Sequence, residues 1–186
     1  MSGKTTFMKT LALNLVLAQT LGICLARRAS LPPVRVMTVI GRDESTTSGQ
    51  SYFFREASEL RRMLGEALAS GREHWFVIDE PFRGTNSAER VGAGYAVLKY
   101  LNEHWLVVAS THDQELIDLL RPQFDAYHFS EVVTDAGAWF DYRLRPGPCR
   151  TRNAVKMLVL AGYPPAVTDL AEKTAASALT CQAAKG

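Results

Sequence analysis

A lysine set between glycine and threonine near the start of the chain, and two adjacent carboxylates at the end of an apolar run, are the residues best suited to chemistry. Ser2-Gly3-Lys4-Thr5-Thr6 reads as the last part of a phosphate-binding loop of pattern G-x-x-x-x-G-K-[ST]. In such a loop Gly3 lets the backbone approach phosphate, Lys4 reaches the β- and γ-phosphates, and the Thr5 hydroxyl coordinates Mg²⁺. The helix that follows directs its N-terminal amides at the anion. The first glycine of the pattern would fall ahead of Met1, so either the chain is cut inside the motif or the string is accidental. A short Gly-Lys-Thr string at a chain end is also compatible with an ordinary flexible terminus.

The segment Trp75-Phe76-Val77-Ile78-Asp79-Glu80 gives the lysine a partner. Four apolar residues ending in two carboxylates have the form of a Walker B strand, and a wholly apolar run suits a strand of a parallel sheet covered on both faces. Open α/β sheets place ligands at the C-terminal ends of such strands. Asp79 would hold Mg²⁺ through water, and Glu80 would orient and polarise the attacking water. The plainer alternative is a core strand ending in a solvated acidic turn. A second buried-type strand, Trp105 to His112, ends in small polar residues and a histidine; beside the first strand, His112 would face the γ-phosphate region, whereas by default it is a capped polar residue.

These groups need a scaffold, and the hydrophobic periodicity supplies one. The pattern predicts a helix over 5–26 and a strand over 34–40, followed by a polar loop over 41–50 with no apolar residue to bury. A helix over 51–70 carries Phe53, Phe54, Ala57, Leu60, Leu64 and Leu68 at near-helical spacing. After the Walker B strand come a helix over 86–102, whose Gly92 and Gly94 suggest close packing, the strand ending at His112, and a helix over 114–121 stopped by Pro122. Strands over 127–134 and 138–144 are joined by a turn at 135–137. Helical pattern resumes over 152–161, turns at Gly162-Tyr163-Pro164-Pro165 and continues from 166; the tail after Ala175 is expected to fray.

With 186 residues and 47% hydrophobic content, one sizeable core is expected. The net charge of +2 creates no bulk field for nucleic acid. Three scattered cysteines, Cys24, Cys149 and Cys181, lack metal-site spacing and fit a reducing compartment, so the cytoplasm is expected. Lys4 and Lys9 before the apolar run 11–26 resemble a secretory leader, but Asn14, Gln19 and Thr20 interrupt that run, which also suits a buried helix after a phosphate loop. It is too interrupted to span a bilayer, and no membrane association is expected.

Taken with their neighbours, these residues resemble the C-terminal ATPase domain of MutS-type DNA mismatch repair proteins, in the ABC class of P-loop ATPases. Met1-Ser2-Gly3-Lys4-Thr5-Thr6 is similar to the end of the family's GPNMSGKST loop. Asp79-Glu80-Pro81-Phe82-Arg83-Gly84-Thr85-Asn86 resembles its DE-x-x-RGT-[SN] block, and Ser110-Thr111-His112 its [AS]TH switch. Ser48 to Phe53 followed by Glu56 is similar to the SGxSTFxxE segment, with Tyr52 in place of the usual threonine; Arg152 to Pro165 resembles the helix-turn-helix that supports dimerisation.

The resemblance covers Met1 to about Thr174. It implies an α/β P-loop NTPase of ABC-ATPase type, a mostly parallel sheet flanked by helices with a helix-turn-helix appendage, lacking the N-terminal part of the domain. The implied division is a core over 1–148, an appendage over 149–175 and a disordered tail over 176–186. The implied cofactors are ATP and Mg²⁺: Ser2, Gly3, Lys4, Thr5 and Thr6 cradle nucleotide, Thr5 and Asp79 hold the metal, and Glu80 and His112 act in hydrolysis. Ser51 would approach nucleotide bound by the opposite subunit of a homodimer or of a pair with a related MutS-like subunit, and DNA would be met by domains outside this chain. Residues 1–186 alone are then expected to hydrolyse ATP weakly or not at all. A non-catalytic nucleotide-binding or dimerisation module is the alternative, against which both acids stand. No LSGGQ-like signature points to a transporter subunit.

Overall fold

The computed structural model describes residues 3–41, 52–134, 137–149 and 153–183. It divides into two compact units, Gly3–Ala126 and the residues from Tyr127 onward. The first unit holds α1 (Lys4–Leu21), β1 (Arg35–Val39), α2 (Tyr52–Ser70), β2 (His74–Asp79), α3 (Ser87–His104), β3 (Leu106–Ser110) and α4 (Gln114–Leu120).

The three strands form a parallel sheet in the order β1-β2-β3. Side chains alternate across a strand, and in β2 both faces are covered: Phe76, Val77 and Ile78 are fully buried. Phe76 and Ile78 pack with Leu60 and Met63 of α2, Leu98 and Leu101 of α3 and Leu116 of α4. Val77 points the other way, onto Met8 and Ala12 of α1. Each such side chain contributes about 1.5–3 kcal/mol on leaving water. Met8, Ala12 and Leu15 of α1 form the stripe that packs into the fold.

α1 is shorter than its periodicity suggests. Gly22 adopts φ 68° and donates its amide to Ala18 O, a left-handed cap that ends the helix at Leu21, short of the expected end at residue 26. In α2 the buried face is Glu56, Leu60, Met63 and Ala67, while Phe54 and Leu68 of the expected stripe are exposed. α3 starts where Asn86 accepts the Glu89 amide at 2.9 Å, a side-chain N-cap. Of its two glycines only Gly94 is tightly packed: a Cβ there would lie 3.0 Å from Leu116 Cδ2, whereas none would meet anything at Gly92.

In the second unit the expected strand over 127–134 is two strands with different partners. β4 (Tyr127–His128) pairs with β7 (Arg145–Pro146), and β5 (Glu131–Thr134) pairs with β6 (Gly137–Phe140). The change of partner breaks the strand, and Tyr142, at φ 53°, cannot extend β6 to residue 144. These strands, counted with the core in the sequence division, fall in the second unit. α5 (Ala154–Leu160) and α6 (Pro165–Ala183) follow, joined through Gly162 at φ 80°. α6 continues past the expected fraying point because its alanine-rich sequence has high helix propensity. Among the described residues no helix is long and apolar enough to cross a membrane.

Candidate functional site

The C-terminal ends of β2 and β3 and the N-terminus of α1 meet inside the first unit. Parallel pairing sets Asp79 opposite Ser110, which brings both strand ends level. Gly3, at φ 95°, caps α1 in a conformation that favours glycine, and has no side chain with which to cap the helix's first amides. Lys4 and Thr5 thus open α1 beside the two acids.

Thr5 Oγ1 donates to Asp79 Oδ2 at 2.7 Å, and Ser110 Oγ donates to Asp79 Oδ1. Both Asp79 oxygens are therefore oriented by hydroxyls. Lys4 Nζ lies 3.1 Å from Glu80 Oε1 and 2.8 Å from His112 Nδ1. His112 Nε2 lies 2.7 Å from the same Glu80 oxygen. An ammonium only donates, so Nδ1 accepts and the ring proton resides on Nε2, which donates to Glu80. Lysine, glutamate and histidine close a triangle around one carboxylate oxygen.

Glu80 adopts φ 52° and Phe82 φ 63°, a rare conformation for residues other than glycine. Hydrogen bonds and packing hold it. The Glu80 amide donates to Ser110 O at 3.1 Å and approaches Ser110 Oγ at 3.3 Å. Phe82, 3% exposed, packs on Phe53 with ring centroids 5.5 Å apart. Gly84 follows in such close contact that an added Cβ would sit 2.7 Å from Tyr52 Cδ1 and 2.8 Å from Phe53 N. A cleft of about 60 Å³, lined by Val39, Gly41, Tyr52, Glu56, Asp79 and Arg83, has room for a few water molecules beside Asp79.

The sequence-derived residues fall into three groups. Lys4, Thr5, Asp79, Glu80 and His112 converge, with Gly3 forming the helix cap. Thr6 is exposed in the first turn, where its carbonyl accepts from Thr10, and no hydrogen bond joins its side chain to either acid among the described contacts. Ser2 and Ser51 lie outside the described residues. Sequence reasoning missed Ser110 as a bridge between the acids; the signal was the parallel register of two strands ending in polar residues. It also missed Arg90, whose Nε and Nη2 hold Asp113 at 2.7 and 2.9 Å. That hydrogen-bonded guanidinium keeps the Asp113 carboxyl below its ordinary range, against the opposing effect of partial burial, and the nearby His112 adds to the lowering.

Residues 1–179 match the family described as MutS domain V. A DNA mismatch repair protein MutS from Natronomonas pharaonis is 36% identical over 178 residues, covering 93% of this chain and 20% of that protein. A DNA mismatch repair protein MutS 2 from Haloarcula marismortui is 31% identical over 185 residues, 97% of this chain and 19% of the relative. A MutS from Chloroflexus aurantiacus is 32% identical over 174 residues, 90% and 18% respectively. The chain spans about a fifth of the length of these curated relatives.

Proposed function

The chain belongs to the MutS family, matching its domain V over residues 1–179, and from that premise we propose that it binds ATP with Mg²⁺ and hydrolyses it, as a P-loop ATPase of the ABC class working in pairs. One observation carries the reading: Lys4 and Thr5 at a helix N-terminus capped by Gly3 meet Glu80 and Asp79 at a strand end. A cation, the backbone amides of a helix N-terminus and a metal-binding carboxylate beside a hydroxyl are the groups that grip a triphosphate.

The residues suit Mg²⁺ better than a caged metal. Thr5 Oγ1 and Asp79 Oδ2 are hard oxygen donors 2.7 Å apart, and no cluster of three or more His, Cys, Asp or Glu residues among the described ones could hold a metal. Mg²⁺ keeps most of its shell as water and phosphate oxygens, so one carboxylate and one hydroxyl suffice. Held by Thr5 and Asp79, Mg²⁺ would supply charge neutralisation for the transferring phosphate. Ser110 fixes the Asp79 carboxylate.

Lys4 Nζ, with three N–H donors, already reaches Glu80 Oε1 and His112 Nδ1. A γ-phosphate oxygen would draw the same ammonium and loosen its hold on Glu80, so that the carboxylate can accept a hydrogen bond from water. His112, donating Nε2–H to Glu80, keeps that carboxylate oriented during the exchange. Binding and activation of the general base are thereby coupled through one amine. For the full-length protein, the reading extends to a dimeric ATPase engine serving DNA mismatch repair or recognition of another DNA structure, with Ser51 offered to the partner's nucleotide and DNA met by other domains.

Nucleotide titration with and without Mg²⁺, paired with turnover, tests this in the full-length protein. Lys4→Ala is expected to abolish tight ATP binding, and Glu80→Gln to bind ATP yet stall. Hydrolysis by Glu80→Gln at the parental rate would remove Glu80 as the base. Nucleotide binding with no turnover in the parent would leave the non-catalytic module.

A further inference from the structure

The residue next to His112, Asp113, is held by an arginine outside every motif used above. Arg90, in the first turn of α3, makes a two-pronged pair with Asp113: Nε to Oδ2 at 2.7 Å and Nη2 to Oδ1 at 2.9 Å. Its third nitrogen, Nη1, donates to the Thr85 carbonyl at 3.3 Å. A planar guanidinium used in this way fixes direction as well as charge.

Asp113 directly follows His112, and its own backbone is held on both sides. Its amide donates to Thr111 Oγ1 at 3.0 Å, and its carbonyl accepts from Ile117 at 3.1 Å to begin α4. Three residues earlier, Ser110 is fixed by the sheet register and by its bonds to Asp79 and Glu80. Only Thr111 and His112 span the two anchors. The His112 side chain is itself largely exposed, at 64%, so beyond its contacts to Lys4 and Glu80 its placing depends on where these anchors hold the backbone. At the other end of the arginine, Thr85 follows Gly84, the residue pressed against the start of α2.

We propose that Arg90 is a positioning residue for His112: by clasping Asp113 and the Thr85 carbonyl together, it holds the histidine in the register where Nε2 meets Glu80 and Nδ1 meets Lys4. The catalytic consequence rests on the ATPase reading above, but the positional claim does not. Loss of the clasp frees the segment 111–113 to move while leaving Lys4, Thr5 and Asp79 in place. The effect should fall on turnover and spare nucleotide affinity.

The test uses the full-length protein in three measurements. Nitrogen-15 chemical shifts of the His112 ring, read without nucleotide, should report the Nε2–H tautomer in the parent and a mixture of ring states in Arg90→Ala and Asp113→Asn. Turnover of those variants should drop by up to about 100-fold, the scale of a misplaced catalytic group, with nucleotide affinity unchanged. In a His112→Ala background, Arg90→Ala should cost almost nothing further, since the two residues act as one unit. Arg90→Lys keeps the charge without the fork and serves where Arg90→Ala melts early. Parental His112 shifts in Arg90→Ala or Arg90→Lys, or Arg90→Ala and His112→Ala effects that multiply, would overturn the proposal. If His112→Ala leaves turnover unchanged while the ring shifts still respond to Arg90, the clasp stands and the catalytic role of His112 fails.

Discussion

Replacing Gly84 with alanine should disturb the turn that carries Glu80, and the size of the effect follows from two distances. An added Cβ would lie 2.7 Å from Tyr52 Cδ1 and 2.8 Å from Phe53 N. The tyrosine ring could swing aside, but the Phe53 amide nitrogen is backbone at the start of α2, so either the turn or the helix end must shift. Overpacking of this kind costs about 1–3 kcal/mol. Against it stands a gain of about 0.4–1 kcal/mol because alanine loses less chain entropy than glycine. Gly84 is not among the residues with positive φ, so space alone decides the sign. The net loss of up to about 2.6 kcal/mol corresponds to a Tm lower by up to roughly 10 °C for a chain of this size. Gly92→Ala is the matched control: it lies inside α3 with nothing within 4 Å of the new methyl, and should raise Tm by roughly 2–4 °C through about 1 kcal/mol of helix propensity. Thermal melts of the two variants beside the parent form the assay. Equal stabilisation by both would refute the idea that Gly84 is required by contact with α2.

Truncating Phe82 to alanine should cost about 3–5 kcal/mol as a buried aromatic is lost, and should release the turn from φ values it adopts only under constraint; a urea midpoint within 0.3 M of the parent, on the order of 1 kcal/mol or less, would contradict its role as the lock. Ser110→Ala removes the hydroxyl that orients Asp79, with an expected loss of about 1.5–3 kcal/mol for a hydrogen bond to a charged group and a higher Mg²⁺ requirement for nucleotide binding; unaltered Mg²⁺ dependence would show that Asp79 needs no such support. In the second unit, the Arg145 hydrogen bond, helped by the Arg143 amide, lowers the Asp141 pKa to about 2. Because the folded value lies below the unfolded one of about 3.9, the contribution is present above roughly pH 4 and is lost as pH falls towards 2. Asp141→Asn should flatten the acid limb of the stability profile in that window, and an unchanged slope would mean the pair contributes nothing measurable.

Much of the first unit was legible because its signals are local. β2 announces itself by Phe76, Val77 and Ile78, which only a strand covered on both faces could bury together, and the acids follow at the end where ligands gather. Lys4 and Thr5 were legible from residue type and spacing. The second unit was less so: nothing in Tyr127–Thr134 alone says that the chain changes partner after His128, since that depends on Arg145 and Pro146 arriving as the other strand. Helix ends were misplaced for a similar reason. Apolar residues continue past Leu21, but the left-handed Gly22 decides where α1 stops. Arg90 was invisible because its partner lies 23 positions away, and no spacing rule connects the start of one helix to the residue that begins another beyond a strand.

The level pairing of Asp79 with Ser110 works as a gauge. Backbone ladder bonds, set far from any reacting atom, determine how high each polar tip stands, and a slip of one residue would replace the serine hydroxyl and turn β3's side chains to opposite faces. Whatever lengthens or shortens the chain between those two strands leaves Asp79 and Ser110 level as long as the ladder stays in step. A single-residue insertion within either strand does not.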